Sequence, residues 1–202
     1  MDDKFFIVYS TVIELLEDRG YNVPKKNKFK TLGELQKKFK TRNDIDLYLS
    51  KKGNPEDDII VYFFAEMGSI NAAFLESRLL KINTDNISKS IFVARVKKSF
   101  TSAGIKELGP LGDDVTFFIE KELSFNISHH ILVPKHELLS EEAAEKVKVE
   151  FSLNEDSQIP KILTSDPVSK YYGFVPGDFI RIHRKSQTAG KYNHYRLVVS
   201  DV

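Results

Sequence analysis

No cysteine occurs among the 202 residues, which excludes disulfides and every zinc site that needs thiolate ligands. Tryptophan is absent too, and the aromatic content rests on fifteen Phe and eight Tyr. No apolar run reaches the roughly 20 residues of a membrane-spanning helix. The opening Met1-Asp2-Asp3-Lys4 is acidic and runs into an amphipathic stretch, unlike a signal peptide. A surplus of one charge is also missing. Thirty basic residues against twenty-nine acidic ones leave a formal net charge of +1, which argues against tight DNA binding by the chain alone but leaves room for a DNA contact inside a larger assembly. Neither a Gly-x-Ser-x-Gly elbow nor a phosphate loop of the Gly-x-x-x-x-Gly-Lys type occurs.

What is present is ordinary globular material. Hydrophobic residues make up 41% and charged residues 29%, enough apolar content for a core and for one large domain or two small ones. Phe5, Tyr9, Val12 and Leu16 recur at helical spacing, widened by Phe6 and Ile13. They predict a helix from about Lys4 to Arg19, capped by Asp3 and ended by Gly20. Thr31-Leu32-Gly33-Glu34 reads as a capping box opening a second helix through Leu35 and Phe39. Strands are expected at Ile45–Leu49, Asp58–Ala65, Ser90–Val96 and Val115–Ile119, with helical spacing over Ile70–Ile82 between them. The unbroken apolar run Asp58–Ala65 reads as a buried central strand. Alternating strands and helices predict an α/β layer with at least part of its sheet parallel.

After Leu123 the texture changes. Ser140-Glu141-Glu142 starts a helix to about Phe151. Asp166-Pro167 starts a short helix that Gly173 closes. Phe179–Arg184 and Tyr192–Val199 alternate as the arms of a hairpin around Ala189-Gly190. The expected organisation is an α/β domain over residues 1–125, a mixed sheet with flanking helices, and a small α+β domain over residues 126–202. Charge divides within the second domain: Glu137–Pro160 carries seven acids against two lysines, and Lys161–Val202 seven bases against three acids. Two solvated faces explain that division as well as a partner does.

Chemistry is sparse. His129, His130 and His136 lie close in sequence, but Pro134 forces extended backbone beside them and no thiolate is available, so packing or interface roles outweigh a metal site. Glu120-Lys121-Glu122 follows a strand, where carboxylates can hold Mg²⁺. A nuclease of the restriction type wants Asp/Glu-x-Lys on the neighbouring strand, and the one example here is Asp2-Asp3-Lys4 at the terminus. Lys97, Lys98, Ser99, Thr101, Ser102 and Lys106 offer bases and hydroxyls at a strand exit. Such a loop can touch phosphates, though on these residues alone an ordinary surface loop is the stronger reading.

Asn126-Ile127-Ser128-His129-His130-Ile131-Leu132-Val133-Pro134-Lys135-His136-Glu137-Leu138-Leu139-Ser140 resembles the entry to the C-terminal domain of the fifth subunit shared by eukaryotic nuclear RNA polymerases, a domain that has a free-standing counterpart in the archaeal enzyme. The resemblance continues through Gln158-Ile159-Pro160-Lys161-Ile162, Ser165-Asp166-Pro167-Val168, Tyr171-Tyr172-Gly173, Gly177-Asp178 and Ile180-Arg181-Ile182. It then runs from Arg184-Lys185-Ser186 through Gly190-Lys191-Tyr192 to Tyr195-Arg196-Leu197-Val198. Thr11-Val12, Leu15, Glu17-Asp18-Arg19-Gly20-Tyr21 and Ser90-Ile91-Phe92-Val93 resemble the N-terminal half of that family, a half the archaeal counterpart lacks.

The resemblance implies a non-catalytic subunit of a multisubunit DNA-dependent RNA polymerase. It implies a nuclease-like jaw domain without an active site beside downstream DNA, and an assembly domain docked on the largest subunit. His129, His130, Pro134, His136, Asp166, Pro167, Arg184, Ser186, Gly190, Tyr195 and Arg196 are the expected subunit interface. Lys97, Lys98, Ser99, Thr101, Ser102 and Lys106 are the expected DNA-facing loop, in which Thr101-Ser102 stands where the family carries Thr-Pro. No cofactor, metal, membrane or small-molecule substrate is expected. A nuclease-like enzyme and a free DNA-binding transcription factor are the competing readings. Only seven of the thirty basic residues are arginine, which points to an AT-rich genome. A large DNA virus and a divergent unicellular eukaryote both fit, with the virion or a cytoplasmic factory as the location in one case and the nucleus in the other.

Overall fold

Phe5, Val8, Tyr9, Val12, Leu15 and Leu16 fall on one stripe of a helix and are all buried, and they define α1, Asp3–Asp18. Its N-cap is Asp2 rather than Asp3. The Asp2 carboxylate accepts from the Phe5 N–H at 3.0 Å, one residue earlier than the sequence pattern placed the cap. A computed structural model describes residues 1–64, 77–96 except 79, 83 and 86, 115–186 except 154, and 190–201. Within it the chain divides into two units, Met1–Asn126 and Ile127–Val202.

In the first unit, α2 is Leu32–Lys38, with Phe39 already its C-cap. Only half of the expected capping box forms. Thr31 Oγ1 accepts from Glu34 N at 3.4 Å, while the Glu34 carboxylate reaches past Thr31 to the N–H of Lys30 at 2.9 Å. Strands β1 (Asp46–Lys51), β2 (Asn54–Phe64), β3 (Lys89–Ala94) and β4 (Val115–Ile119) form one sheet in that order. β1 runs antiparallel to β2, and β2–β3 and β3–β4 are parallel. Of the expected Ile70–Ile82 helix, residues 70–76 lie outside the described residues, and 77, 78, 80–82 and 84 are helical. The strand expected to reach Val96 ends at Ala94.

β2 is apolar throughout because both of its faces are covered. Phe63 meets Phe5 edge-on at 5.4 Å and Tyr9 at 5.9 Å from α1. On the opposite face Ile60, Tyr62 and Phe64 share a core with Ile82, Ile87 and Phe92. Tyr62, Phe92 and Phe117, paired across three parallel neighbours, stack with ring centres 5.6 Å apart at each step.

The second unit holds a four-stranded sheet in the order β5–β7–β8–β6, with β5 Lys135–Leu138, β6 Lys161–Leu163, β7 Phe179–Ser186 and β8 Gly190–Val199. Its two edges, β5 and β6, are strands the sequence pattern does not announce. Helix α3, Glu141–Glu150, starts at Ser140, whose Oγ accepts from Ala143 N at 3.3 Å. Helix α4, Pro167–Tyr172, starts at Asp166, whose carboxylate accepts from Val168 N at 2.9 Å. It ends at Gly173 in the left-handed region, φ +69°. Side chains alternate across the sheet. Phe179 and Leu197 point to the face shared with Leu139, Val147 and Ile159, and Ile180, Ile182 and Val198 point to the face shared with Ile162, Tyr172 and Phe174.

Candidate partner-binding site

Register decides which of the expected interface residues stand together. In the β7–β8 ladder Ile180 faces Arg196, Ile182 faces His194 and Arg184 faces Tyr192, while His136 of β5 faces Ile182. Directly opposed residues share a face, so His136, Arg184, Tyr192, His194 and Arg196 all lie on the Ile180/Ile182 side of the sheet. Arg184 is exposed, and Arg196 is half-buried with its Nε buried and without a hydrogen bond among the described residues. None of the ion pairs among the described residues involves Arg184 or Arg196. Burial holds His136 below its ordinary pKa against the opposing pull of the Pro134 carbonyl and Asp166. Burial and then the two arginines hold His194 below its own. The face is therefore a cluster of two permanent cations and two imidazoles whose surroundings disfavour their charged form.

Tyr195 does not belong to that face. It faces Arg181, on the other side of the sheet, where it stacks on Phe179 at 6.0 Å, meets Phe151 at 5.7 Å and carries the Arg181 guanidinium over its ring. Strand alternation separates 195 from 196, so the two cannot present one surface. Glu137 lies on this second side too. It accepts from His183 Nε2 at 2.8 Å, which lowers its pKa, and stands 3.7 Å from Arg181.

The remaining interface candidates fall into three groups. His129 closes a 3₁₀ turn, Ile127–His129, and is exposed. His130 is exposed, and its Nδ1 accepts from Leu132 N at 3.2 Å. His136 is buried with its Nδ1 2.7 Å from the Pro134 carbonyl. Asp166 and Pro167 start α4, with Pro167 exposed. Gly190 opens β8 at φ +69°, and a Cβ there would meet nothing within 4 Å, so the turn needs its backbone rather than its small size. Ser186 ends β7. His194 and Tyr192 join this face although neither is an expected interface residue, and the alternation of 192, 194 and 196 along one strand is the signal that places them there. The expected DNA-facing residues Lys97, Lys98, Ser99, Thr101, Ser102 and Lys106 lie outside the described residues.

The carboxylates that could have served a metal have other partners. Glu120 and Asp2 converge on Arg42: Asp2 Oδ1 lies 2.8 Å from Nη2, Glu120 pairs with Nη1, and the guanidinium sits 4.4 Å from the centre of the Phe5 ring. Burial raises the Glu120 pKa against the attraction of Arg42 and Arg95. The Phe5 N–H, followed by Arg42, lowers that of Asp2. Glu122 folds back to accept from Ile119 N at 2.9 Å. The Asp2-Asp3-Lys4 triplet is thus a helix cap and an ion pair. Among the described residues no group of three His, Asp or Glu side chains is placed to hold a metal ion.

Comparison with known proteins covers almost the whole chain. Residues 2–74 match the family described as RNA polymerase Rpb5, N-terminal domain, and residues 125–198 match RNA polymerase Rpb5, C-terminal domain. The DNA-directed RNA polymerases I, II, and III subunit RPABC1 of Caenorhabditis briggsae is 32% identical over 206 residues, 97% of this chain and 96% of the relative. The protein of that description from Dictyostelium discoideum is 32% identical over 204 residues, 98% of each chain. The DNA-directed RNA polymerase subunit 5-like protein 1 of Arabidopsis thaliana is 31% identical over 211 residues, 98% of this chain and 99% of the relative.

Proposed function

The chain belongs to the Rpb5 family of RNA polymerase subunits, and from that premise we propose that it is a non-catalytic subunit of a multisubunit DNA-directed RNA polymerase, working in the nucleus. In this reading residues 127–202 dock on the largest subunit, and residues 1–126 contribute to the jaw beside downstream DNA. The relatives reported above come from cellular eukaryotes, and none of them favours a virion. Among the structural observations the unpaired cationic face carries the reading. Arg184 and Arg196 stand on rigid paired strands with no carboxylate of the described residues to meet, as expected of guanidinium groups that take their carboxylate or carbonyl partners from another chain.

The test is incorporation. Arg184→Glu with Arg196→Glu is expected to strip the chain from the polymerase, because charge reversal at a desolvated pair costs roughly 2–5 kcal/mol. Co-purification of tagged variants with the largest subunit measures it. Retention equal to the unaltered chain would place the docking surface elsewhere.

A further inference from the structure

Where β5 begins, the chain separates from its neighbour and leaves a cleft. β5 pairs with β7 only from Lys135↔His183 onward. Residues 131–134 lie outside the strand, and from Arg184 to Ser186 β7 is paired on its β8 side alone. Ile131, Leu132, Val133 and Pro134 line it together with Arg184 and Lys185 of β7 and Tyr192 of β8.

Three properties of this cleft are unusual for a surface with no partner. First, Ile131 is 95% exposed and Leu132 81% exposed, two adjacent large aliphatic side chains in water beside the aromatic ring of Tyr192. Second, Lys135, Arg184 and Lys185 contribute positive charge to the lining and no carboxylate among the described lining residues does; Glu137, next to it, is taken up by His183 and attracts Lys135. Third, a strand edge lies open along it. The Leu139 N–H bonds to Phe179 O, and the Val198 N–H bonds to Asp178 O. Odd-numbered residues of β7 therefore turn their backbone groups toward β5, and even-numbered ones toward β8. Lys185 points its N–H and C=O into the cleft at the place β5 has vacated, and no backbone hydrogen bond to a described residue takes them up.

We propose that this cleft docks an extended acidic segment of another polymerase subunit, one that pairs with the free edge of β7 at Lys185 and lays an aliphatic side chain against Ile131 and Leu132. The proposal rests on the docking reading above and specifies the chemistry of what docks. Free backbone groups favour an extended chain. Arg184 and Lys185, with no ion pair among the described residues, favour carboxylates on it. The exposed aliphatic pair favours protein over nucleic acid, because phosphates alone leave such side chains in water.

The experiment uses the assembled polymerase. A photo-crosslinking residue replaces Ile131, the complex is purified through another subunit, and the crosslinked peptide is sequenced. The expected product is a polymerase-subunit peptide rich in Asp or Glu. A crosslink to the chain's own residues 1–126, to a second copy, to DNA, or to nothing would overturn the proposal. In parallel, Ile131→Ser with Leu132→Ser is expected to lower recovery in the complex about tenfold, the loss expected for a truncated contact at the centre of an interface. An unchanged thermal melt of the free variant shows that the fold is intact. If the unaltered chain is recovered and the variant is recovered equally, the cleft is not a docking site and the broader docking reading survives. If the unaltered chain is not recovered at all, both fall together.

Discussion

Arg42 holds Asp2 at 2.8 Å with one guanidinium nitrogen while the other binds Glu120, seventy-eight positions away in sequence. The arginine is 7% exposed, so the link ties the cap of α1 to the residue that follows β4. Replacing Arg42 with Met leaves the half-buried Glu120 carboxylate without its ion-pair partner and should cost about 3 kcal/mol. Thermal or urea unfolding measures the loss. Adding Glu120→Gln is expected to recover part of it, and a double variant no better than Arg42→Met would show that the pairing is not what stabilises this corner.

The same occupancy of Asp2 and Glu120 makes a nuclease prediction specific. The purified chain is expected to leave supercoiled plasmid intact in the presence of Mg²⁺ or Mn²⁺, because these acids are engaged with a helix N-terminus and an arginine. Cleavage that survives further purification and disappears in Glu120→Gln would refute this.

Acid should weaken the second unit through His136. Burial keeps its folded pKa below the ordinary 6.5, so the unfolded ring binds the proton more tightly than the folded one. The contribution to stability is complete above about pH 6.5 and declines as pH falls from there toward the lowered folded value. The melting temperature is expected to drop between pH 7 and pH 5. His136→Asn keeps a donor for the Pro134 carbonyl and cannot titrate, so it should flatten that slope. An identical slope in the variant would assign the acid sensitivity to another group.

Charge reversal at Lys97 and Lys98 should leave assembly intact. A screened contact between lysine and phosphate contributes about 1 kcal/mol or less, and its signature is a shallower salt dependence of DNA engagement by the whole polymerase. Loss of the chain from the complex in Lys97→Glu with Lys98→Glu would move assembly to the first unit.

Residues 125–202 expressed alone should fold. Each face of the β5–β7–β8–β6 sheet carries an apolar cluster drawn entirely from this stretch. A dispersed amide spectrum is expected, and a collapsed one would mean that the stretch needs the residues before it.

The sequence by itself determined whatever depends on near neighbours. α1 is legible because its apolar residues recur every three or four positions. β4 is legible as Val115–Ile119, and α4 because Asp166-Pro167 and Gly173 supply a cap, a pre-set φ and a left-handed stop within eight residues. The doubly covered β2 shows in its unbroken apolar run. Tertiary structure alone decided what depends on register and on distance along the chain. β5 and β6 are four and three residues long, too short for a periodic signal, and they are strands because β7 and β8 offer them edges. Arg196 and Tyr195 are adjacent in sequence yet serve opposite faces, and Arg184 and Arg196 share one face because the hairpin register sets Arg184 against Tyr192 and Arg196 against Ile180. The open edge beside Lys185 exists only because the chain before Lys135 departs from β7. Local propensity acts over a turn or two of chain, whereas pairing and burial are properties of segments that meet only once the fold has closed.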